Sequence, residues 1–223
     1  MLYYERLQEA QGLQQKTQEA LYLTLSLENK EQYDAAYEQS LRYEEACEKQ
    51  ALQARTLPAY TGHPRAKEMV EDVMEKAVPV DIGFTKENWF AMRIPVLLPK
   101  KERGGPEFIR GILRPAMRRF MQDRPPFHFG NSLIVFHHTY DRDRPERLFR
   151  DHDNIEINAV VDIVALHMLR DDSPMQCAHF YYSTAGEADS TEVYIVPMED
   201  FLQFSVALTE GKLTGPEPAS NKP

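Results

Sequence analysis

The sequence predicts an α/β or α+β fold, in which a mixed β-sheet carries packed helices and follows an N-terminal helical hairpin. One observation is that residues 3–56 contain no proline, are rich in Gln, Glu, Ala, Leu and Tyr, and repeat apolar residues at helical spacings. Another is that short β-rich runs alternate with helical patterns from Trp89 onward. The 223 residues suffice for one substantial core.

The hairpin is predicted from two amphipathic stripes with a bend at residues 27–32. The stripes contain Leu7, Ala10 and Leu13, then Tyr33, Ala36, Tyr37 and Leu41. They must be buried, either on the remaining domain or against another chain. The breaker cluster "LPAYTGHP" indicates a boundary. The predicted division is a hairpin over 1–60, a linker with a short helix over 61–87, an α/β domain over 88–209 and a disordered tail over 210–223.

The second half of the chain is expected to supply the sheet and the helices that cover it. "WFAMRIPVLLP" predicts a strand with Pro95 at an edge or a bulge, and a helix that contains Pro115 should end near Gln122. A strand over 131–141 and a four-turn helix starting near Asp153 or Asn154 follow. "QCAHFYYST" and "TEVYIVP" predict two further strands, and "MEDFLQFSVAL" a closing helix.

The charge is divided unevenly along the chain. The net charge is −9 overall, but it is −5 over residues 1–76, +6 over 77–150 and −10 over 151–223. An enzyme that acts on a polyanion through bound cations needs both signs of charge, although surface variation explains the same division. Two cysteines far apart, no signal sequence and no long apolar run favour a cytoplasmic protein that does not span a membrane.

Five aspartates lie in the otherwise largely apolar segment 147–172. They are Asp151, Asp153, Asp162, Asp171 and Asp172. Capping of a helix N-terminus accounts for one of the first two. The spacing of four between Asn154, Asn158 and Asp162 predicts one helical stripe. If the helix and the following turn bring the ends of the segment together, Asp151, Asp153 and Asp172 form an oxygen site suited to Mg²⁺ or Mn²⁺.

The motif "RDHDN", an aspartate within the next helix, and then "LRDD" resemble the signature of RusA-type Holliday junction resolvases. These are small homodimeric endonucleases, often carried by prophages. The resemblance covers roughly residues 88–197, in the same order of strands and helices. It implies Mg²⁺-dependent (or Mn²⁺-dependent) cleavage of branched DNA by a homodimer, in which bound metal ions assist phosphodiester hydrolysis.

The resemblance also implies roles for particular residues. Asp151, Asp153 and Asp172 match the metal-binding acids, Asn154 lies beside them, and Asp162 lies at or near the acid of the helix. Where the family has a helix lysine, this chain has Ile157 or Asn158. That departure leaves an alternative open, in which a RusA-like domain without efficient catalysis binds DNA or a protein partner.

Arginines around the acidic segment are candidates for DNA contact. Arg110, Arg114 and Arg118 recur every four residues and predict a phosphate-binding helix face, or equally a solvated exterior. Closer to the aspartates, the candidates are Arg142, Arg144, Arg147 and Arg150, with Asn154 and Asn158; neighbouring acids are alternative partners for these arginines. The histidines match no zinc-binding spacing.

Overall fold

The computed structural model describes residues 2–30, 32–101, 105–122, 124–143 and 149–216. The chain separates into two compact units, Met1–Asp72 and Val73–Pro223.

The first unit is a helical hairpin, which confirms the prediction from the two stripes. Helix α1 (Leu2–Glu28) packs along helix α2 (Tyr33–Tyr60), and the guanidinium of Arg6 lies 5.2 Å from the ring centroid of Tyr60. Helix α2 runs through Pro58, although the breaker cluster was expected to begin one residue earlier. The chain turns where the backbone N–H and hydroxyl of Thr61 both donate to the carbonyl of Pro58.

The second unit is built on a five-stranded sheet that carries three α-helices. Helix α3 (Ala66–Ala77) precedes it. The strands are β1 (Asp81–Phe84), β2 (Phe90–Ile94), β3 (Ser132–Asp141), β4 (Cys177–Gly186) and β5 (Ser190–Pro197). The helices are α4 (Gly105–Gln122), α5 (Asn158–Met168) and α6 (Phe201–Thr209). The strand order is β1-β2-β5-β3-β4, and among these strand pairs of the described residues β3–β4 is parallel and the others are antiparallel. The fold is therefore α+β with a mixed sheet, as predicted.

Both faces of β3 are buried, because alternate side chains point to opposite sides of a sheet. On one face Val135 joins a hydrophobic cluster to which α6 contributes Phe204. The indole Nε1–H of Trp89 in this cluster donates to the Asp200 carboxylate at 3.0 Å, just before α6 begins. On the other face Phe136 is fully buried, as is the α5 residue Val160.

Local structure differs from the expectations at three places. Strand β1 was not predicted, and Pro95 follows an interior strand, β2, rather than interrupting an edge strand. Helix α5 begins at Asn158, so it has about three turns rather than four. Its start is delayed because Glu156 N–H donates to the Pro99 carbonyl at 2.9 Å and Lys101 N–H to the Asn154 carbonyl at 2.9 Å. Asn154 therefore does not share a helical stripe with Asn158 and Asp162.

The C-terminal residues are described as far as 216. The backbone N–H of Lys212 donates to the Ala207 carbonyl at 2.8 Å, and Leu213 packs on the cluster around Phe204. Residues 217–223, the rest of the segment expected to be a disordered tail, lie outside the described residues.

Candidate functional site

The segment that carries Asp151 and Asp153 is fixed by backbone contacts on both sides. The Tyr140 hydroxyl accepts a hydrogen bond from the N–H of Arg150 at 3.2 Å and donates to its carbonyl at 3.3 Å. The guanidinium of Arg150 donates to the Leu98 carbonyl. Arg150, a candidate for DNA contact, is thus engaged in holding the segment in place.

Asp151 and Asp153 flank His152 in a single turn of 3₁₀ helix. Both carboxylates are exposed, and the side chain of Asp151 does not cap the turn; only its backbone carbonyl accepts, from Asn154 N–H at 3.0 Å. The proposed capping role therefore does not account for Asp151. The two carboxylates are available to a ligand from solvent.

His152 points back onto the sheet between these carboxylates. Its Nε2 is hydrogen-bonded to Ser183 Oγ at 3.0 Å. Its ring lies 5.8 Å from that of His138 and 5.7 Å from that of Tyr181, centroid to centroid. This contact places the Asp151–Asp153 turn over the middle of the β3–β4 pair.

His138 supports His152 from within the sheet. Its side chain is fully buried, and neither ring nitrogen has a hydrogen-bond partner among the residues that the structure describes. Burial, together with electrostatic interaction with His152, His137 and Arg150, lowers the pKa of His138 to about 4. The imidazole is therefore neutral at pH 7 and acts as a stacking ring.

Asp172 lies near the start of β4. Burial raises the pKa of the Cys177 thiol, and the charge of Asp172 adds to this effect. Burial lowers the pKa of His179, and Asp172 opposes that shift. Asp172 is thus electrostatically close to Cys177 and His179, at the opposite end of α5 from Asp151.

The structure does not gather the predicted metal ligands into one group. Across the described ranges, no three His, Cys, Asp or Glu residues are placed so that they could hold a metal ion. Asp151 and Asp153 share one turn, whereas Asp172 precedes β4 and lies near Cys177 and His179. Mg²⁺ in proteins is often bound through one or two carboxylates, with water and substrate phosphate completing its coordination. The Asp151–Asp153 pair fits that smaller kind of site.

The remaining predicted residues lie around this turn and on α4. Asp162 on α5 is 3.8 Å from the guanidinium of Arg110 on α4, in an exposed ion pair that contributes little to stability. Arg110 also lies 3.7 Å from Glu107. Arg114, Arg118, Asn154 and Asn158 are exposed. Arg144 and Arg147 lie outside the described residues.

Sequence patterns did not reveal the rings between the two acidic positions. His179, Tyr181 and Ser183 alternate along β4 and lie opposite Ile134, Phe136 and His138 in the parallel register. The Tyr181 hydroxyl is 3.1 Å from His179 Nδ1. The alternation of polar and aromatic residues in "HFYYS" was visible in the sequence, but the parallel pairing that aligns it with His152 was not.

The opposite face of the sheet carries a separate polar group. Nδ1 of His137 lies 2.9 Å from Glu192 Oε2, its Nε2 lies 2.7 Å from Thr184 Oγ1, and Tyr194 donates to Glu192 at 3.1 Å. Burial opposes ionisation of Glu192, but the bonds from His137 and Tyr194 outweigh it and lower the pKa of the carboxyl. His137 and His138 thus face opposite sides, as the strand prediction required.

Fold and site define an α+β protein whose surface presents a carboxylate pair beside a row of aromatic rings. The chain belongs to a family of unknown function, DUF6100, whose sequence profile matches residues 2–212. No curated protein matches it. Among solved structures, the periplasmic domain of Helicobacter pylori MotB is 13% identical, with 56% of this chain and 85% of that chain covered and a TM-score of 0.28. So low a score carries no argument about function.

Of the helices in the described ranges, none is both long and apolar enough to cross a lipid bilayer.

Proposed function

We propose that the chain is a RusA-like endonuclease that cleaves branched DNA with the help of Mg²⁺ or Mn²⁺ and acts as a homodimer in the cytoplasm. The observation that carries the proposal is the Asp151–Asp153 turn, which presents two exposed carboxylates from a rigid position. It lies in the segment "RDHDN" that resembles the resolvase motif. The order of a strand, a basic helix, a second strand, the acidic turn and α5 adds support.

Asp151 and Asp153 would hold the cation, which would polarise a scissile phosphate and supply hydroxide from bound water. The chain itself would fix the turn through Tyr140 and Arg150. Arg114 and Arg118 on α4 would contact the DNA backbone, without reading its sequence. Asp172 would contribute a third carboxylate, as the resemblance implies. In a dimer, two such turns would serve the two strands of one junction.

A second candidate is a DNA-binding or protein-interaction module with little or no turnover. A specific observation favours it: Ile157, at one of the two positions where the resolvases have a lysine, is buried to 8% exposure and cannot offer a cation to a phosphate. Asn158 is exposed, but its amide carries no charge. The two candidates differ in whether metal-dependent cleavage occurs.

The test is nicking of a labelled four-way junction, beside a linear duplex of the same sequence, with Mg²⁺, Mn²⁺ or EDTA. We expect metal-dependent cuts in the junction. Asp153→Asn should reduce them by more than the ~10–100-fold that loss of an outer-shell partner costs, because it removes a direct ligand. Asp34→Asn, an exposed change on α2, is the matched control and should leave cleavage unchanged.

Cuts that survive in EDTA, or in Asp153→Asn, would contradict the proposed role of the turn. A folded protein that binds the junction without cutting it under any metal condition would favour the module. Asp172→Asn tests the third carboxylate: a loss as large as that of Asp153→Asn means that Asp172 joins the site when metal and DNA bind, and unchanged cleavage means that the pair acts without it.

A further inference from the structure

Three rings form a continuous row along β4, which we call the aromatic strip: His179, Tyr181 and His152. The centroids of His179 and Tyr181 are 6.2 Å apart, and those of Tyr181 and His152 are 5.7 Å apart. His179 is exposed, and Tyr181 and His152 are half-buried. The rings therefore offer apolar surface to solvent beside the carboxylate pair.

Two fully buried rings hold the strip in place. Tyr181 stacks on Phe136, with centroids 5.5 Å apart and planes inclined by 18°. His152 stacks on His138 at 5.8 Å and 29°. Because both supports belong to the interior strand β3, the exposed rings lose little freedom when a flat ligand packs on them.

The strip is partly accessible to solvent, because His179 is exposed and Tyr181 and His152 are half-buried. In the described ranges, strand β4 lies at the edge of the sheet and pairs with β3 alone. Ser183 Oγ, His152 Nε2 and His179 Nδ1 are polar atoms within the row. The two nitrogens are bonded to the hydroxyls of Ser183 and Tyr181, and each hydroxyl keeps capacity for one more hydrogen bond, which favours a flat polar heterocycle over a purely apolar side chain.

Charges at the ends of the strip narrow the choice of ligand. Asp151 and Asp153 flank His152, and Asp172 lies near His179. At the carboxyl end of β4, the Arg142 guanidinium is exposed and its Nε donates to the Gly186 carbonyl at 3.3 Å. Arg142 can contact a phosphate, and a cation at the carboxylate pair can contact another. A base linked to phosphates on both sides matches this arrangement of charge.

We propose that the aromatic strip binds an unpaired nucleobase of DNA next to the carboxylate pair. This rests on the proposed function and deepens it. In a duplex the base faces are already stacked on one another, so only a single-stranded or branch-point base presents its face to a protein ring. The strip would then favour branched over linear DNA, because it would recognise the exposed face of an unpaired base and not the base sequence.

The experiment measures stacking directly, without cleavage. A DNA strand carrying 2-aminopurine, whose fluorescence falls when it stacks, is titrated with the whole protein in Mg²⁺ and in EDTA, first single-stranded and then as a duplex. We expect quenching with the single strand only. Tyr181→Leu should weaken binding by about 5- to 150-fold, the range that removal of one base-stacking ring spans. Tyr181→Phe keeps the ring and should stay within about twofold.

Tyr22→Leu, the same replacement on an exposed α1 residue, is the control and should bind like the wild type. If Tyr181→Leu does not fold by circular dichroism, His179→Leu decides, because His179 is exposed and its loss removes one end of the strip. Equal quenching of single strand and duplex, or unchanged binding by the folded variant, overturns the proposal.

The outcomes separate this proposal from the proposed function. Base stacking that is lost in Tyr181→Leu, in a protein that never cuts a junction, supports the strip and rejects the endonuclease. Metal-dependent cutting, with base stacking unchanged in Tyr181→Leu, supports the endonuclease and rejects the role of the aromatic strip.

Discussion

A single buried imidazole connects the core to the candidate site. His138 has no exposed surface and no hydrogen-bond partner for its ring nitrogens among the described residues, yet it lies in ring contact with His152. A phenylalanine would fill a similar space without the cost of burying two polar nitrogens. His138 lies where the acidic turn contacts the sheet, and residues that pack unfavourably are expected at functional sites.

The burial of His138 predicts a pH-dependent stability. Its pKa is about 4 when folded and 6.5 as a free side chain, so the unfolded chain takes up this proton first as the pH falls. The contribution to stability is complete above pH 6.5 and is lost between about pH 6.5 and 4, amounting to about 3 kcal/mol. Urea unfolding at pH 7 and pH 4.5 should show this loss in the wild type.

His138→Phe should remove most of this dependence, because no proton then binds at the position. His128→Gln, a change at an exposed histidine, is the control and should behave like the wild type. An equal loss of stability in wild type and His138→Phe would show that other groups cause the acid sensitivity.

At the scale of the elements, the end of the β3–β4 pair requires a glycine, Gly186, because there is no room for a side chain there. A Cβ built on Gly186 would lie 2.4 Å from Thr139 Cγ2, well inside van der Waals contact. The Gly186 carbonyl also accepts from the backbone N–H of Arg142, at 3.0 Å, so the strand end is tied at this point. Since the χ1 angle of threonine is restricted, Thr139 has little room to move away.

Gly186→Ala should therefore destabilise the protein by about 1–3 kcal/mol, as overpacking does. Thr139→Ser removes the opposing methyl group and keeps the hydroxyl. In that background, Gly186→Ala should cost less by about 1 kcal/mol or more, a coupling within the range for residues in contact. Urea denaturation of the four proteins measures it, and equal costs in both backgrounds would mean that the clash is relieved elsewhere.

Element types were largely predictable, whereas their pairing was not. The β-rich runs predicted β2, β3, β4 and β5, and helical spacing predicted the hairpin. The four residues of β1 are too few to show a period. The late start of α5 follows from backbone bonds between Glu156 and Pro99, which no local pattern encodes. The start of α5 is thus decided by a distant partner, and β1 by pairing with the next strand, β2.

The candidate site shows the same limit. Residue type and order predicted one site from Asp151, Asp153 and Asp172, whereas the structure joins only Asp151 and Asp153 in one turn. The position of that turn beside β4, and the support of His152 by His138, depend on the register between two strands that are far apart in sequence. Spacing along the chain cannot supply that register, because it is set by the packing of the whole crossover.

At the scale of the whole molecule, the candidate site lies entirely within the second unit. All five strands and helices α4 to α6 belong to Val73–Pro223, and helix α3 spans the boundary between the units. The buried rings that support the aromatic strip also belong to this unit. The second unit therefore has the core that independent folding requires.

A fragment of residues 64–223, which keeps α3 intact, should unfold in one cooperative transition. Its heat-capacity change should be about 2 kcal/mol/K, as expected from ~12–15 cal/mol/K per residue in a folded domain. Differential scanning calorimetry measures both. A broad transition with a much smaller heat-capacity change would show that residues before 64 are needed to complete the core.

The parallel pairing of β3 with β4 also has a consequence for the order of folding. The two strands are joined through residues 142–176, a shorter connection than residues 142–189 between β3 and β5 or residues 95–189 between β2 and β5. Closing a longer loop costs more chain entropy, and contacts between distant residues slow the search for the native topology. The β3–β4 pair can thus form before β5 is inserted between β2 and β3. The support of the aromatic strip would then assemble early, while the position of β4 at the edge of the sheet means that local opening would dismantle the strip first.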